Sequence, residues 1–264
     1  MRPVMALVAV ACATLCVSCA QKIATDKTDE PRPELADIPR PSAPTALPRP
    51  SWPRSAIGRV NRQRGGFCSG TLIFPDKVLT TARCLWDARL RRWTSTADLH
   101  FLAGYHLGTH LAHRRVKAIE LSANIEVTAR GIPFKGANDW AILILSQPIE
   151  PESAIRPIEV ARFEDWPQPN MMGPLVRAGY GPHRPHALES AKCKAVTLIN
   201  PTVLLHDCGA TVAESGFPIL VETAEGWRVL GLQMASAKKT EGSRGLGMAL
   251  LVTAMEGPRQ MFLW

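Results

Sequence analysis

Long amphipathic helical patterns are missing from this 264-residue chain, and its 22 prolines and 19 glycines exclude a helical bundle in favour of a turn-rich β protein. No comfortable membrane span is present at the start, where the apolar run Val4 to Val17 falls short of the roughly 20 residues a bilayer requires. Acidic residues are in deficit, 23 against 31 Lys and Arg, and the resulting formal charge of +8 favours anionic partners such as acidic lipids, glycans or nucleic acid. Aromatic residues make up only 6% and do not build a basic, aromatic-interleaved module with the scattered Arg59, Arg62, Arg64, Arg89, Arg91, Arg92, Arg114 and Arg115. Nucleic acid is therefore not an expected partner, and a solvated basic surface accounts for the charge. Among Cys68, Cys84, Cys193 and Cys208, short C-x₂₋₄-C knuckles are lacking as well, which argues against a zinc site built from these four cysteines.

What is there begins with an export signal over residues 1–19: Arg2 gives a positive start and the short apolar run follows. Two exits are open. Ser18-Cys19-Ala20 offers small residues for ordinary signal peptidase, and Leu15-Cys16-Val17-Ser18-Cys19 looks like a degenerate lipobox that would place an acyl anchor on Cys19. Either route leaves Cys68, Cys84, Cys193 and Cys208, an even set suited to an oxidising compartment. Residues 20–55 are proline-rich, with Pro31-Arg32-Pro33, Pro39-Arg40-Pro41 and Pro48-Arg49-Pro50, and predict an extended, solvated linker. A pro-segment removed before Ile57-Gly58 is the competing expectation.

From residue 56 to 264 the chain reads as short apolar runs between turn residues. Leu99–Gly104, Val116–Leu121, Trp140–Leu145, Ala195–Ile199, Phe217–Val221 and Trp227–Met234 are predicted strands. Trp140–Leu145 is nearly continuous in apolar residues, which predicts burial on both faces. The proline-marked stretch from Glu150 to Gly173 is the predicted connection between two lobes, about 57–150 and about 172–264.

Three motifs carry the chemistry. The first is Cys68-Ser69-Gly70-Thr71-Leu72-Ile73 followed by Leu79-Thr80-Thr81-Ala82-Arg83-Cys84, the second is Asn138–Leu145, and the third is Cys208–Pro218 with Ala213-Glu214-Ser215-Gly216-Phe217 inside it. In order and content they resemble the trypsin-like serine protease family, most closely its short bacterial branch similar to glutamyl endopeptidases, over residues from Ile57 onward. The resemblance implies an all-β fold of two antiparallel, six-stranded Greek-key barrels with the active cleft between them. It also implies disulfides Cys68–Cys84 and Cys193–Cys208, each closing a loop of about fifteen residues and contributing on the order of 3 kcal/mol. By the same resemblance Ser215 stands at the nucleophile position, Asp139 at the orienting aspartate, Arg83 at the general-base histidine, and the N–H groups of Ala213 and Ser215 at the oxyanion hole. No cofactor and no metal are implied.

Arginine at the base position changes the expectation. Acyl transfer needs an imidazole to take the hydroxyl proton and return it, whereas a guanidinium is donor-only and stays protonated. Arg83 is instead a natural partner for the Asp139 carboxylate, as a structural ion pair or as a repurposed anion site. Ala213 and Phe217 replace glycines, and the large side chain of Phe217 is expected beside the nucleophile. Glu214 replaces an aspartate. Gly209 leaves the specificity pocket without a charge, and Gln233 and Met234 stand where relatives carry other residues, so no substrate preference is legible.

The expectation is an exported homologue, periplasmic or extracellular in a bacterium, that is catalytically inactive and binds a protein or peptide ligand as a monomer, soluble or tethered through Cys19. The alternatives are an active endopeptidase in which Ser215 and Asp139 use an atypical base, and a basic tethered module that docks on anionic envelope components. His106, His110 and His113 have helical spacing that suggests a metal site, but Gly108 argues for a hairpin with surface histidines instead.

Overall fold

The computed structural model describes residues 49–128, 136, 138–150, 154–162, 174–209, 213–236 and 245–255. The predicted signal, Cys19, and most of the predicted linker lie outside the described residues.

Among them the regular structure is β-strand, with only short 3-10 turns between. In the first half, β1 (Ile57–Arg62), β2 (Phe67–Phe74), β3 (Lys77–Thr80), β6 (Leu99–Ala103), β7 (Ala112–Leu121) and β8 (Ala141–Leu145) close a barrel in the order β1-β2-β3-β8-β7-β6. A small ribbon of β4 (Trp86–Asp87) and β5 (Arg92–Trp93) stands beside it. Period-two alternation puts Leu99, Phe101 and Ala103 inside while His100 and Leu102 face outward. β8 is buried along its whole length, as its unbroken apolar sequence predicts.

The second half contains β9 (Leu175–Gly179), β10 (Glu189–Cys193), β11 (Ala195–Asn200), β12 (Val203–His206), β13 (Pro218–Thr223), β14 (Gly226–Ser236) and β15 (Gly247–Leu251), in the order β10-β9-β13-β14-β15-β12-β11. The outermost strands of that order, β10 and β11, are separated in sequence only by Lys194. One run from Glu189 to Asn200 therefore pairs with β9 at one end and β12 at the other, so the seven labelled strands return to their start like a six-stranded barrel with one split strand.

The predicted connection crosses between the halves. Ile158 N donates to Leu72 O at 2.9 Å, and Ala161 N donates to Val229 O at 2.9 Å. Ahead of β1 the chain is already packed: Pro50, Ser55 and Ala56 are buried, and the Trp52 indole donates to Arg156 O at 3.2 Å. Ile57 is fully buried within β1, paired with Thr71 of β2. Both disulfides are present, Cys68–Cys84 and Cys193–Cys208.

Candidate functional site

Thr80 ends β3, and the chain turns through the 3-10 segment Ala82–Leu85, stapled to β2 by the Cys68–Cys84 bond. This turn aims Arg83 at Asp139, which sits two residues before β8. The Arg83 backbone N–H donates to Asp139 Oδ1 at 3.0 Å, and its guanidinium Nε and Nη2 both reach Oδ2. Asp139 is 1% exposed and the Arg83 side chain 10%, so this is a buried, charge-assisted pair. The meeting of these two side chains matches the sequence expectation.

Ser215 lies between a buried Glu214 and a buried Gly216. Its carbonyl accepts from Ser69 N–H at 3.3 Å, docking the loop on β2. Gly216 adopts φ +81°, and a Cβ there would fall 2.0 Å from Ser69 O and 2.8 Å from Thr80 Oγ1. Only glycine permits that approach, which sets Ser215 against the strand leading to Arg83. Among the described residues the Ser215 hydroxyl makes no hydrogen bond. All seven histidines are described, and none bonds to it: His100 meets His113, His186 meets the Tyr105 hydroxyl, and His206 accepts from Cys208 N–H. Ala213 is exposed, and 210–212 lie outside the described residues.

Phe217 corrects one expectation. Instead of standing beside Ser215, its ring is fully buried in the second half; a Cβ on Gly179 would lie 2.5 Å from that ring. The glycine on β9 makes the space that the phenylalanine fills. The Arg177 guanidinium lies 5.3 Å from the same ring centroid and forms a buried ion pair with Glu214. Glu214 thus has an internal cation despite its extra methylene. Burial, reinforced by Glu214, pushes the neighbouring Glu189 carboxyl above its usual range.

Gln233, already singled out in the sequence, is buried, and so is His206, whose environment the sequence did not reveal. Gln233 donates through Nε2 to Ala235 O at 2.7 Å and Met248 O at 3.3 Å. His206 is fully buried against Gly247, where a Cβ would sit 2.1 Å from its ring. Burial lowers its pKa to about 4, with Gln233 opposing, and the bond from Cys208 N–H makes Nδ1 an acceptor, so the ring is neutral near pH 7. The ligand atoms of Cys193, His206 and Cys208 lie within 4.8 Å of one another, but two of the three are joined as a disulfide. The predicted trio of hairpin histidines is regrouped: His100 Nδ1 and His113 Nε2 are 2.8 Å apart with His110 packed edge-on, while His106 is buried elsewhere in the turn.

The family model for trypsin matches residues 47–213, well over half of the chain. The chain is also similar to two curated proteins of Phytophthora infestans. It is 32% identical to glucanase inhibitor protein 3 over 99 residues, 38% of this chain and 33% of that protein. It is 30% identical to glucanase inhibitor protein 4 over 115 residues, 43% of this chain and 40% of that protein. The chain thus spans between about a third and two fifths of the length of these relatives.

Proposed function

Because this chain belongs to the trypsin family, we propose that it is an exported member of that family that does not hydrolyse peptide bonds and acts by binding another protein. The observation that carries this proposal is the Arg83–Asp139 pair. In the proposed assignment Asp139 would orient a base and Ser215 would attack, yet the group held by Asp139 is a guanidinium that cannot accept a proton. A serine without a base is a poor nucleophile at neutral pH. Export, by either signal route and with or without a lipid on Cys19, agrees with the two disulfides.

The partner proposed first is a glucanase, because the relatives carry the name glucanase inhibitor. In this proposal the two halves, about 57–150 and about 172–264, form one binding unit and the segment before them is a spacer. The test has two parts. Purified full chain is assayed for ester and casein hydrolysis against Ser215→Ala, and calorimetry measures its binding to a panel of purified glucanases. No Ser215-dependent turnover together with saturable binding to a glucanase is expected. Turnover that disappears in Ser215→Ala overturns the non-hydrolytic proposal, and absence of binding to every glucanase overturns the partner.

A further inference from the structure

We propose that the first barrel carries a binding site for a phosphate or sulfate group, built from arginines that the sequence scatters over two turns. Arg62 and Arg64 flank the end of β1, and Arg89 and Arg92 lie at the β4–β5 ribbon. Folding brings all four to one cavity of about 190 Å³. Two aspartates, Asp87 and Asp98, share it, so the lining carries a formal excess of two positive charges.

Both carboxylates are already engaged. Asp98 pairs with Arg64 at 3.6 Å, and Asp87 Oδ1 accepts the backbone N–H groups of Arg89 and Leu90 at 3.0 Å each. Arg89 and Arg92 make no direct ion pair among the described residues, and Arg89 and Arg62 act on the Asp87 carboxylate only at longer range. Arg89 and Arg92 are exposed and line the cavity, and a guanidinium's forked donors suit a tetrahedral oxyanion.

The inner wall is shaped rather than incidental. Arg62 Nη1 donates to Trp86 O at 3.4 Å, and Gly66, at φ +82°, makes room for that guanidinium, since a Cβ there would lie 2.4 Å from Arg62 Nη2. Arg62 Nε and Thr94 Oγ1 are both buried without a hydrogen-bond partner. Both residues line the cavity, so its wall holds donor capacity that the protein itself does not use. The site does not depend on whether Ser215 is active.

The test titrates purified full chain with inorganic phosphate and with inorganic sulfate by calorimetry at constant ionic strength held with chloride. Arg89→Ala/Arg92→Ala removes two exposed donors, and Arg115→Ala/Lys117→Ala on β7 removes the same charge from an exposed strand elsewhere. Wild type and the β7 variant should bind saturably, and the Arg89/Arg92 variant at least about ten-fold more weakly, about 1.4 kcal/mol. Repeating the titrations with a phosphomonoester and a sulfated monosaccharide separates the two sources. The phosphomonoester, whose second pKa is about 6, should bind more weakly at pH 5 than at pH 7 while the sulfate ester does not, and equal weakening of both would overturn recognition of the bound group's charge. Equal weakening in both double variants would reduce the effect to overall charge and overturn the site, as would absence of saturable binding by either anion.

Discussion

Arg83→Ala should be strongly destabilising. It leaves the Asp139 carboxylate, 1% exposed, with the Arg83 backbone amide in place and both guanidinium contacts gone. Breaking a buried pair from one side costs about 3–5 kcal/mol, because the remaining charge stays out of water. For a domain of this size, about 2–4 °C per kcal/mol translates that loss into a fall in Tm of about 10 °C. Urea melts at pH 7 would read the same loss as a lower midpoint with an unchanged slope. Replacing both charges at once, as Arg83→Met with Asp139→Asn, should cost less than Arg83→Ala alone, since no buried charge is left over and the Asn carbonyl still accepts the backbone N–H of residue 83. An Arg83→Ala variant within about 1 kcal/mol of wild type at pH 7 would refute the argument that the pair is buried and mutually dependent.

Phe217→Gly should destabilise by at least about 3–5 kcal/mol, because the ring fills the core over Gly179, and a loss of soluble folded protein by circular dichroism would check it. Loop geometry is therefore better tested with Arg83→His against Arg83→His/Ala213→Gly in ester hydrolysis; the double variant should be faster only if Ala213 misplaces the oxyanion donors. His206 is depressed from 6.5 to about 4, so the unfolded state binds its proton first as pH falls, and unfolding free energy should drop by up to about 3 kcal/mol between those values. His206→Gln should remove that share of the acid sensitivity in urea melts from pH 7 to 4. Non-reducing peptide mapping should recover Cys68 with Cys84 and Cys193 with Cys208, and replacing either pair by alanine should cost about 3 kcal/mol.

Signals that act over a few residues were legible in the chain alone. The apolar run at β8 declared its burial, alternation placed β6, turn residues bounded the strands, and three motifs in order placed Arg83, Asp139 and Ser215 on one scaffold. The disulfide pairing and the meeting of Arg83 with Asp139 came with that resemblance. Other features were invisible because they depend on what faces a residue across the barrel. Phe217 follows Ser215 by two positions, yet its direction is set by the space over Gly179 on β9; His206 sits in an apolar strand, and its neutral state follows from burial against Gly247. Arg62 and Arg89 share a cavity because barrel closure brings the β1–β2 turn to the β4–β5 ribbon. Local pattern thus determined the strands and the family, since periodicity and motif order are written along the chain. Which distant side chains meet, and so where charge is buried, paired or left in excess, was decided only by the tertiary packing that removes some groups from water and leaves others at a cavity wall.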